Sequence, residues 1–238
     1  KQPGRTVLRR LNAVTGALEE AGELPFAANS ALPLPGGLLA VTETVDRSAG
    51  DPGIHQDFEI FEELPLRQNA GGYTSGLRHE LSVCDPATGE KTKVAGDPFD
   101  VEQVQKTPDG TSLIYSGRAY QDMRMLDHAI HRYCLTDGSR QEILSQKDVM
   151  FLGYFACDNE GVTYSATDCK PYGFGQIKNL YRFDFASGKG RELYRCQRNT
   201  GLSEVIADGR RGALSQFCIR NGRLWFGSTW GYENHAFS

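Results

Sequence analysis

The sequence holds two short motifs whose residue types could do chemistry, a serine between glycines and a pair of histidines. Gly72-Tyr-Thr-Ser75-Gly76 approaches the G-x-S-x-G turn that presents a nucleophilic serine between a buried strand and a helix. Here the serine comes one position late, and the surrounding residues predict a loop. Asp127-His128-x-x-His131 could supply a base or metal ligands, but residues three apart on a strand point to opposite faces. We therefore expect no catalytic residue and no metal site in this chain.

The cysteines favour a reduced protein. Six of them are spread along the chain without a C-x-x-C pair, and no histidine pair follows them at zinc-finger spacing. A domain of this length does not depend on disulfides for its stability. We expect free thiols, no cofactor and a cytoplasmic protein.

Composition argues against two classes of partner. Lys and Arg number 26 against 30 Asp and Glu, a net charge of −4, and no basic block is long enough to follow a phosphate backbone. No stretch reaches the roughly 18–20 apolar residues of a membrane span, and residues 1–20 lack the apolar centre of a signal peptide. We expect neither a nucleic acid nor a membrane as partner. The chain begins with Lys1, so a removed upstream segment is also an expectation.

The elements that must position any site are marked by two recurring glycine turns. In the first series a strand ends in a polar residue and a short turn closed by glycine, at Gly16, Gly89, Gly138 and Gly188. In three copies Asn12, Asp85 or Asp184 stands four residues earlier, where its side chain can bond the turn backbone, and Cys134 replaces it in the other copy. A second series, at Gly37, Gly110, Gly161 and Gly222, alternates with the first. The repeat is about 50 residues long, with one enlarged unit.

Short β-rich runs lie between these turns, and no sustained helical periodicity is present. The runs are Leu38–Val45, Val101–Gln105, Ser112–Tyr115, Phe151–Ala156, Val162–Ser165, Asn179–Phe185 and Leu224–Gly227. Four strands in about 50 residues predict an all-β fold, a β-propeller of four-stranded antiparallel blades, with about four to five blades represented. A β-sandwich is the alternative, but it has no reason to repeat both turns in phase.

The phase of the repeat predicts the domain organisation. Residues 1–238 form one partial propeller domain that is cut within blades at both ends, and residues 46–77 form a loop insertion within a blade. The insertion lies between the second and third strands of its blade and is acidic. Cut blades leave unpaired strand edges, so self-association is an expected partner interaction.

The enlarged unit carries the most specific stretch, DFEIFEELPLRQNAGGYTSGLRHELSVCDPATGE, from Asp57 to Glu90. It resembles the N-terminal propeller of prolyl-oligopeptidase-family serine peptidases, especially the acylaminoacyl-peptidase branch. Thr107–Asp122 resembles the S-P-D-G strand of that family, and Ile130–Arg140 resembles its next blade strand. The family places its catalytic serine, aspartate and histidine on a C-terminal α/β-hydrolase domain, which the resemblance implies is absent from this chain.

The resemblance implies a non-catalytic propeller that gates peptide access to that hydrolase domain. The expected partners are therefore the hydrolase domain and a peptide substrate of the parent enzyme. Glu62 and Glu63 are expected to attract the amino end of the peptide, as an adjacent glutamate pair does in related dipeptidyl peptidases. Arg67 and Tyr73, in the same insertion, complete the predicted substrate-binding set.

Two other functions stay open on the sequence alone. A stand-alone propeller would serve as a protein-binding scaffold. A propeller glycosidase is the other, since residues 157–164 nearly match the Asp-box turn of sialidases. Eight aromatic residues are predicted to fill the core between blades: Tyr115, Tyr133, Phe151, Tyr154, Tyr181, Phe183, Trp225 and Phe226.

Overall fold

The computed structural model describes residues 4–47, 61, 63–65, 67–68, 72–198, 200–201, 217–230 and 233–238. Its backbone contacts divide the chain into two compact units. The first comprises Lys1–Val104 and Gly117–Met125, and the second comprises Gln105–Ser116 and Leu126–Ser238. No helix among the described residues has the length and apolar character needed to cross a bilayer.

The first unit contains antiparallel sheets joined by tight turns. Its strands are β1 (Thr6–Leu11), β2 (Leu18–Leu24), β3 (Ser30–Pro33), β4 (Leu39–Asp46), β5 (Arg67–Gln68), β6 (Gly72–Tyr73), β7 (Leu77–Cys84) and β8 (Lys91–Ala95). β1 and β2 form one two-stranded sheet, and β5 and β6 form another. The four-stranded sheet has the order β3-β4-β7-β8, so the β5–β6 hairpin lies between its second and third strands in the sequence.

The remaining strands form three further antiparallel sheets. They are β9 (Phe99–Lys106), β10 (Ser112–Ala119), β11 (Ala129–Cys134), β12 (Arg140–Leu144), β13 (Phe151–Cys157), β14 (Gly161–Thr167), β15 (Asn179–Asp184), β16 (Lys189–Tyr194), β17 (Cys218–Arg220), β18 (Arg223–Trp230) and β19 (Glu233–Phe237). β9–β12 and β13–β16 form four-stranded sheets in sequence order, and β17–β19 form a three-stranded sheet. Single-turn 3-10 segments cover Pro35–Gly37, Gln146–Asp148 and Gly173–Gly175.

The predicted glycine corners are confirmed in atomic detail. In all four copies the glycine N–H donates to the carbonyl of the residue four positions earlier, at 2.8–3.0 Å, and φ of the glycine lies between 64° and 75°. The side-chain oxygens of Asn12, Asp85 and Asp184 accept backbone N–H groups of their own turns at 2.7–3.1 Å. Where Cys134 replaces them, Asp137 takes the role and accepts from the Ser139 N–H at 2.9 Å.

The core of the second unit lies between stacked sheets. One cluster joins β10–β12 to β13–β15 through residues such as Ile114, Ile130 and Phe155, all fully buried. A second cluster joins the other face of the β13–β16 sheet to β17 and β18, through Ala156 and Leu180. Because side chains alternate along a strand, the neighbours Phe155 and Ala156 lie on opposite faces. Both faces of this sheet are therefore covered, and all seven residues of β14 are buried.

Packing in the first unit follows the same scheme on a smaller scale. Leu24 of β2, Val41 of β4 and Cys84 of β7 are fully buried together, with Leu8 and Phe26 against them. The two-stranded sheet β1–β2 thus packs against the sheet β3-β4-β7-β8. At about 25 cal/mol for each Å² of apolar surface removed from water, these contacts stabilise sheets that would not persist alone.

The predicted strand positions are confirmed, with ends that differ by at most four residues. One core prediction is wrong: Trp225 is 43% exposed, whereas Tyr115 and Phe183 are buried as expected. The structure also separates the two histidines. His131 lies on β11 with its ring centroid 5.4 Å from that of Tyr115, whereas His128 precedes the strand and its Nδ1 accepts from the Leu152 N–H at 3.3 Å.

Candidate functional site

The insertion between β4 and β7 leaves and rejoins the sheet at one point. β4 and β7 pair over eight consecutive positions that end at Asp46 and Leu77. Immediately beyond this pair the Arg47 N–H donates to the Gly76 carbonyl at 2.8 Å. The two ends of the insertion are therefore held next to each other at the end of one sheet.

Glu63 binds both ends of the insertion. Its Oε1 accepts from Arg47 Nη1, which follows β4, and its Oε2 accepts from the Gly76 N–H, which precedes β7, at 3.0 and 2.9 Å. Both terminal nitrogens of Arg78, on β7, donate to the same carboxylate. Arg47 in turn pairs with Asp97 through Nε at 3.0 Å. A single carboxylate thus joins the start, the middle and the end of the insertion.

The Glu63–Arg78 pair is withdrawn from water. The side chain of Arg78 is fully buried and that of Glu63 is 7% exposed. Arg78 also donates to the Tyr120 carbonyl at 3.0 Å, and its guanidinium lies 3.7 Å from the centre of the Tyr120 ring. Burial opposes ionisation of Glu63, but hydrogen bonds from Arg78 and Gly76 outweigh it and lower the pKa of Glu63. The charged form of the pair is the stable one.

The four donors to Glu63 decide what this carboxylate can do. A carboxylate has two oxygens with about four lone-pair positions, and the two arginines and Gly76 occupy that number. A peptide ammonium would have to displace one of these donors. The geometry therefore favours a positioning role for Glu63, and a role in peptide binding stays a prediction.

Charged side chains continue from this pair along β7, β9 and β10. The ring nitrogen Nδ1 of His79 lies 2.8 Å from Asp100 Oδ1. The backbone N–H of His79 donates to the same oxygen. The hydrogen bond to Asp100 raises the pKa of His79, against the effect of burial. Glu102 accepts from Arg124 and lies 2.9 Å from Arg118 Nε. Carboxylates and cations alternate in this cluster. It can therefore bind neither an anionic nor a cationic ligand strongly without breaking one of its ion pairs.

The other predicted site residues are placed differently. Glu62 lies outside the described residues. Arg67 is on β5, paired in register with Tyr73 on β6. Tyr73 is 58% exposed, and its ring centroid lies 4.9 Å from that of Phe61. Within the described ranges, no three His, Cys, Asp or Glu residues gather where they could hold a metal ion.

A second site, which sequence reasoning missed, is a cleft of about 320 Å³ in the second unit. Its walls are aromatic and come from the end of β16 and from β18 and β19: Tyr194, Phe226, Trp230 and Phe237. The segment after β16 adds Cys196, Gln197, Arg198 and Thr200, and Ser228 lies on the wall of β18. Phe226, Ser228 and Trp230 share one face of β18 because alternate residues of a strand point the same way.

The rings of the cleft pack on one another and leave polar groups between them. Phe237 lies with its ring centroid 5.5 Å from Phe226 and 5.0 Å from Trp230. The Trp230 Nε1–H donates to Ser228 Oγ at 3.1 Å, and the guanidinium of Arg198 lies 3.8 Å from the centre of the Trp230 ring. The alternating aromatic residues of β18 were a usable signal in the sequence, but the loop that faces them could not be identified there.

Known proteins resemble this chain in their three-dimensional structure, whereas comparison of sequences finds no match. No protein-family model and no curated protein sequence matches the chain. The fold is similar to that of Pyrococcus horikoshii acylaminoacyl peptidase, with 16% identity and a TM-score of 0.60 over 94% of this chain. Only 33% of the peptidase is covered, so the chain spans about one third of its length.

Two further structures are similar over nearly the whole chain. One comes from a study of two prolyl endopeptidases, with 12% identity and a TM-score of 0.54, covering 93% of this chain and 28% of the enzyme. The other is an oligogalacturonate lyase in complex with manganese, with 12% identity and a TM-score of 0.53, covering 97% of this chain and 52% of the lyase. The resemblance to acylaminoacyl peptidase and prolyl endopeptidase predicted from the sequence is confirmed in the fold.

Proposed function

We propose that this chain is the non-catalytic β-propeller portion of a peptidase of the prolyl-oligopeptidase type. In this proposal it restricts the access of peptides to a serine hydrolase site on an α/β-hydrolase domain outside the chain. The supporting observation is the match to one third of an acylaminoacyl peptidase over almost all of this chain. The sequence itself has no G-x-S-x-G elbow.

The packing of the sheets supports the propeller geometry. A two-layer sandwich covers one face of each sheet, whereas a sheet between two neighbours is covered on both. The sheet β13–β16 is of the second kind, since Phe155 and Ala156 are both buried. We infer that each of the five sheets β1–β2, β3-β4-β7-β8, β9–β12, β13–β16 and β17–β19 corresponds to one blade. Closure of these blades into a ring is part of the proposal.

The insertion between β4 and β7 is the proposed peptide-facing element. Glu62 is the proposed partner of the peptide amino group, because the Glu63 carboxylate already accepts four hydrogen bonds. Glu63 would then fix the two ends of the insertion, and Glu62, Arg67 and the exposed Tyr73 are the proposed substrate contacts. A cytoplasmic location fits free thiols, and all six cysteines are unpaired.

The test compares the parent protein with this chain. We expect the parent to react with a fluorophosphonate probe for active serines and to hydrolyse short peptides while leaving folded proteins intact. The isolated chain should do neither. In the parent, Glu62→Gln should raise KM for peptides with a free amino end and leave KM for acetylated peptides unchanged.

Three results would contradict the proposal. A parent protein that lacks a hydrolase domain would favour a protein-binding scaffold. Turnover of a glycoside or an acidic oligosaccharide by the isolated chain would favour a propeller enzyme of another class. Equal KM values for Glu62→Gln and the unchanged parent would remove Glu62 from the peptide site.

A further inference from the structure

The aromatic cleft in the second unit has the size of a site for one or two residues of a ligand. Its volume of about 320 Å³ lies at the lower end of the range of small-molecule pockets. The rings of Trp230 and Tyr194 are 36% and 57% exposed in this cleft. Rings exposed in a concave site are available to pack against an aromatic or bulky apolar group.

The charge of the cleft selects the sign of the ligand. Arg198 is exposed, and among the described residues no carboxylate lies within ion-pair distance of it. Stacking on Trp230 holds the guanidinium over the ring and leaves its N–H edge free to bind an anion. The same cation repels an ammonium group, so an aromatic cage for cations is excluded here. A planar anion such as a carboxylate matches the fork of guanidinium donors.

A buried hydroxyl supplies a second, independent indication of a ligand. Thr200 lines the cleft and is 6% exposed, yet its Oγ1 has no hydrogen-bond partner within the described part of the chain. Buried hydroxyls in native proteins nearly always have a partner. A ligand that places a polar group beside Thr200 would satisfy this hydroxyl when bound.

We propose that this cleft binds the carboxyl-terminal residue of a peptide whose last side chain is aromatic or bulky and apolar. The terminal carboxylate pairs with Arg198, the side chain packs against the exposed rings of Trp230 and Tyr194, and a peptide carbonyl or N–H bonds Thr200 Oγ1. This site goes beyond the gating function proposed above, because the binding belongs to this chain alone and needs no hydrolase domain.

Calorimetric titration of the intact chain tests the proposal directly. The probe is N-acetyl-Gly-Phe with a free carboxylate, and the comparison ligands are its carboxyl-terminal amide and N-acetyl-Gly-Ala. We expect saturable binding of the probe, and binding at least about tenfold weaker for both comparison ligands, since charge-assisted pairing and ring packing are each lost. In a Trp225→Phe variant the fluorescence of Trp230 should change with the same affinity, which places the ligand in the cleft.

Matched variants separate the cleft from general surface charge. Arg198→Gln should weaken binding about tenfold and Thr200→Val about fivefold, with circular dichroism unchanged. Arg195→Gln is the control, because Arg195 is also exposed but pairs with Glu192 outside the cleft. Absence of saturable heat at millimolar probe would overturn the proposal. So would equal binding of the amide, or an effect of Arg195→Gln as large as that of Arg198→Gln.

Discussion

Replacing Glu63 by glutamine removes one negative charge from between two arginines and barely changes the shape of the side chain. Removing one partner of a buried ion pair costs about 3–5 kcal/mol, because the other charge stays buried without compensation. Arg78 is fully buried and cannot reach water, whereas Arg47 is one third exposed and can turn outward. The glutamine carbonyl also retains part of the acceptor capacity. We therefore expect a loss at the lower end, about 3 kcal/mol.

The assay is urea unfolding of the chain followed by far-ultraviolet circular dichroism, with thermal melting beside it. For a protein of this size 1 kcal/mol corresponds to about 2–4 °C in Tm, so Glu63→Gln should lower Tm by about 6–12 °C. Glu80→Gln is the control, because Glu80 pairs on the same sheet with Lys93, whose side chain is 55% exposed. Pairs of this kind contribute at most about 1 kcal/mol.

The pH dependence gives a second measure of the same interaction. The folded-state pKa of Glu63 is lowered, so its contribution is present above the unfolded pKa and is lost as pH falls through the folded pKa. The difference in unfolding free energy between the unsubstituted chain and the Glu63→Gln variant should therefore shrink in acid. The reasoning would be refuted if Glu63→Gln destabilised the chain no more than Glu80→Gln at neutral pH.

Two further predictions concern a histidine and a corner glycine. The pKa of His79 is raised mainly by its hydrogen bond to Asp100. The stability that this bond contributes is therefore present below the unfolded pKa and lost as pH rises through the folded pKa. Nuclear magnetic resonance should show the raised pKa of His79, and Asp100→Asn should abolish the shift. In urea unfolding, Gly188→Ala should cost about 1–2 kcal/mol of stability because φ is +64° at this position. The control Gly190→Ala, at a position without positive φ, should be near neutral. Equal losses of stability for the two variants would reject the role of φ.

The corners and strands could be predicted because their causes are local. A turn such as Asp184 to Gly188 is decided by one side-chain acceptor and one residue that accepts positive φ. The same turn chemistry recurs with the repeat, so the number of strands in a unit followed from it. The corner with Cys134 shows the limit, since Asp137 compensates from a neighbouring position that the pattern did not indicate.

The contacts within the sites could not be predicted, because the contacting residues are distant in sequence or depend on which face of a strand is covered. The sequence predicts Arg78 as an ordinary polar residue of a strand. Its burial depends on hydrogen bonds to Glu63 and to the carbonyl of Tyr120, and no local sequence pattern connects these residues with Arg78. Trp225 and Trp230 both lie on β18, five positions apart, and therefore on opposite faces. Which of the two faces packs against neighbours follows only from the arrangement of the sheets.

The excursion between β4 and β7 starts and finishes at directly paired residues, Asp46 and Leu77. It is therefore a cassette: the ladder on which it is mounted would stay continuous if a two-residue type I′ turn took its place. Evolution or protein engineering could replace this insertion by another without changing the strands of the sheet. The replacement would also have to neutralise the buried guanidinium of Arg78.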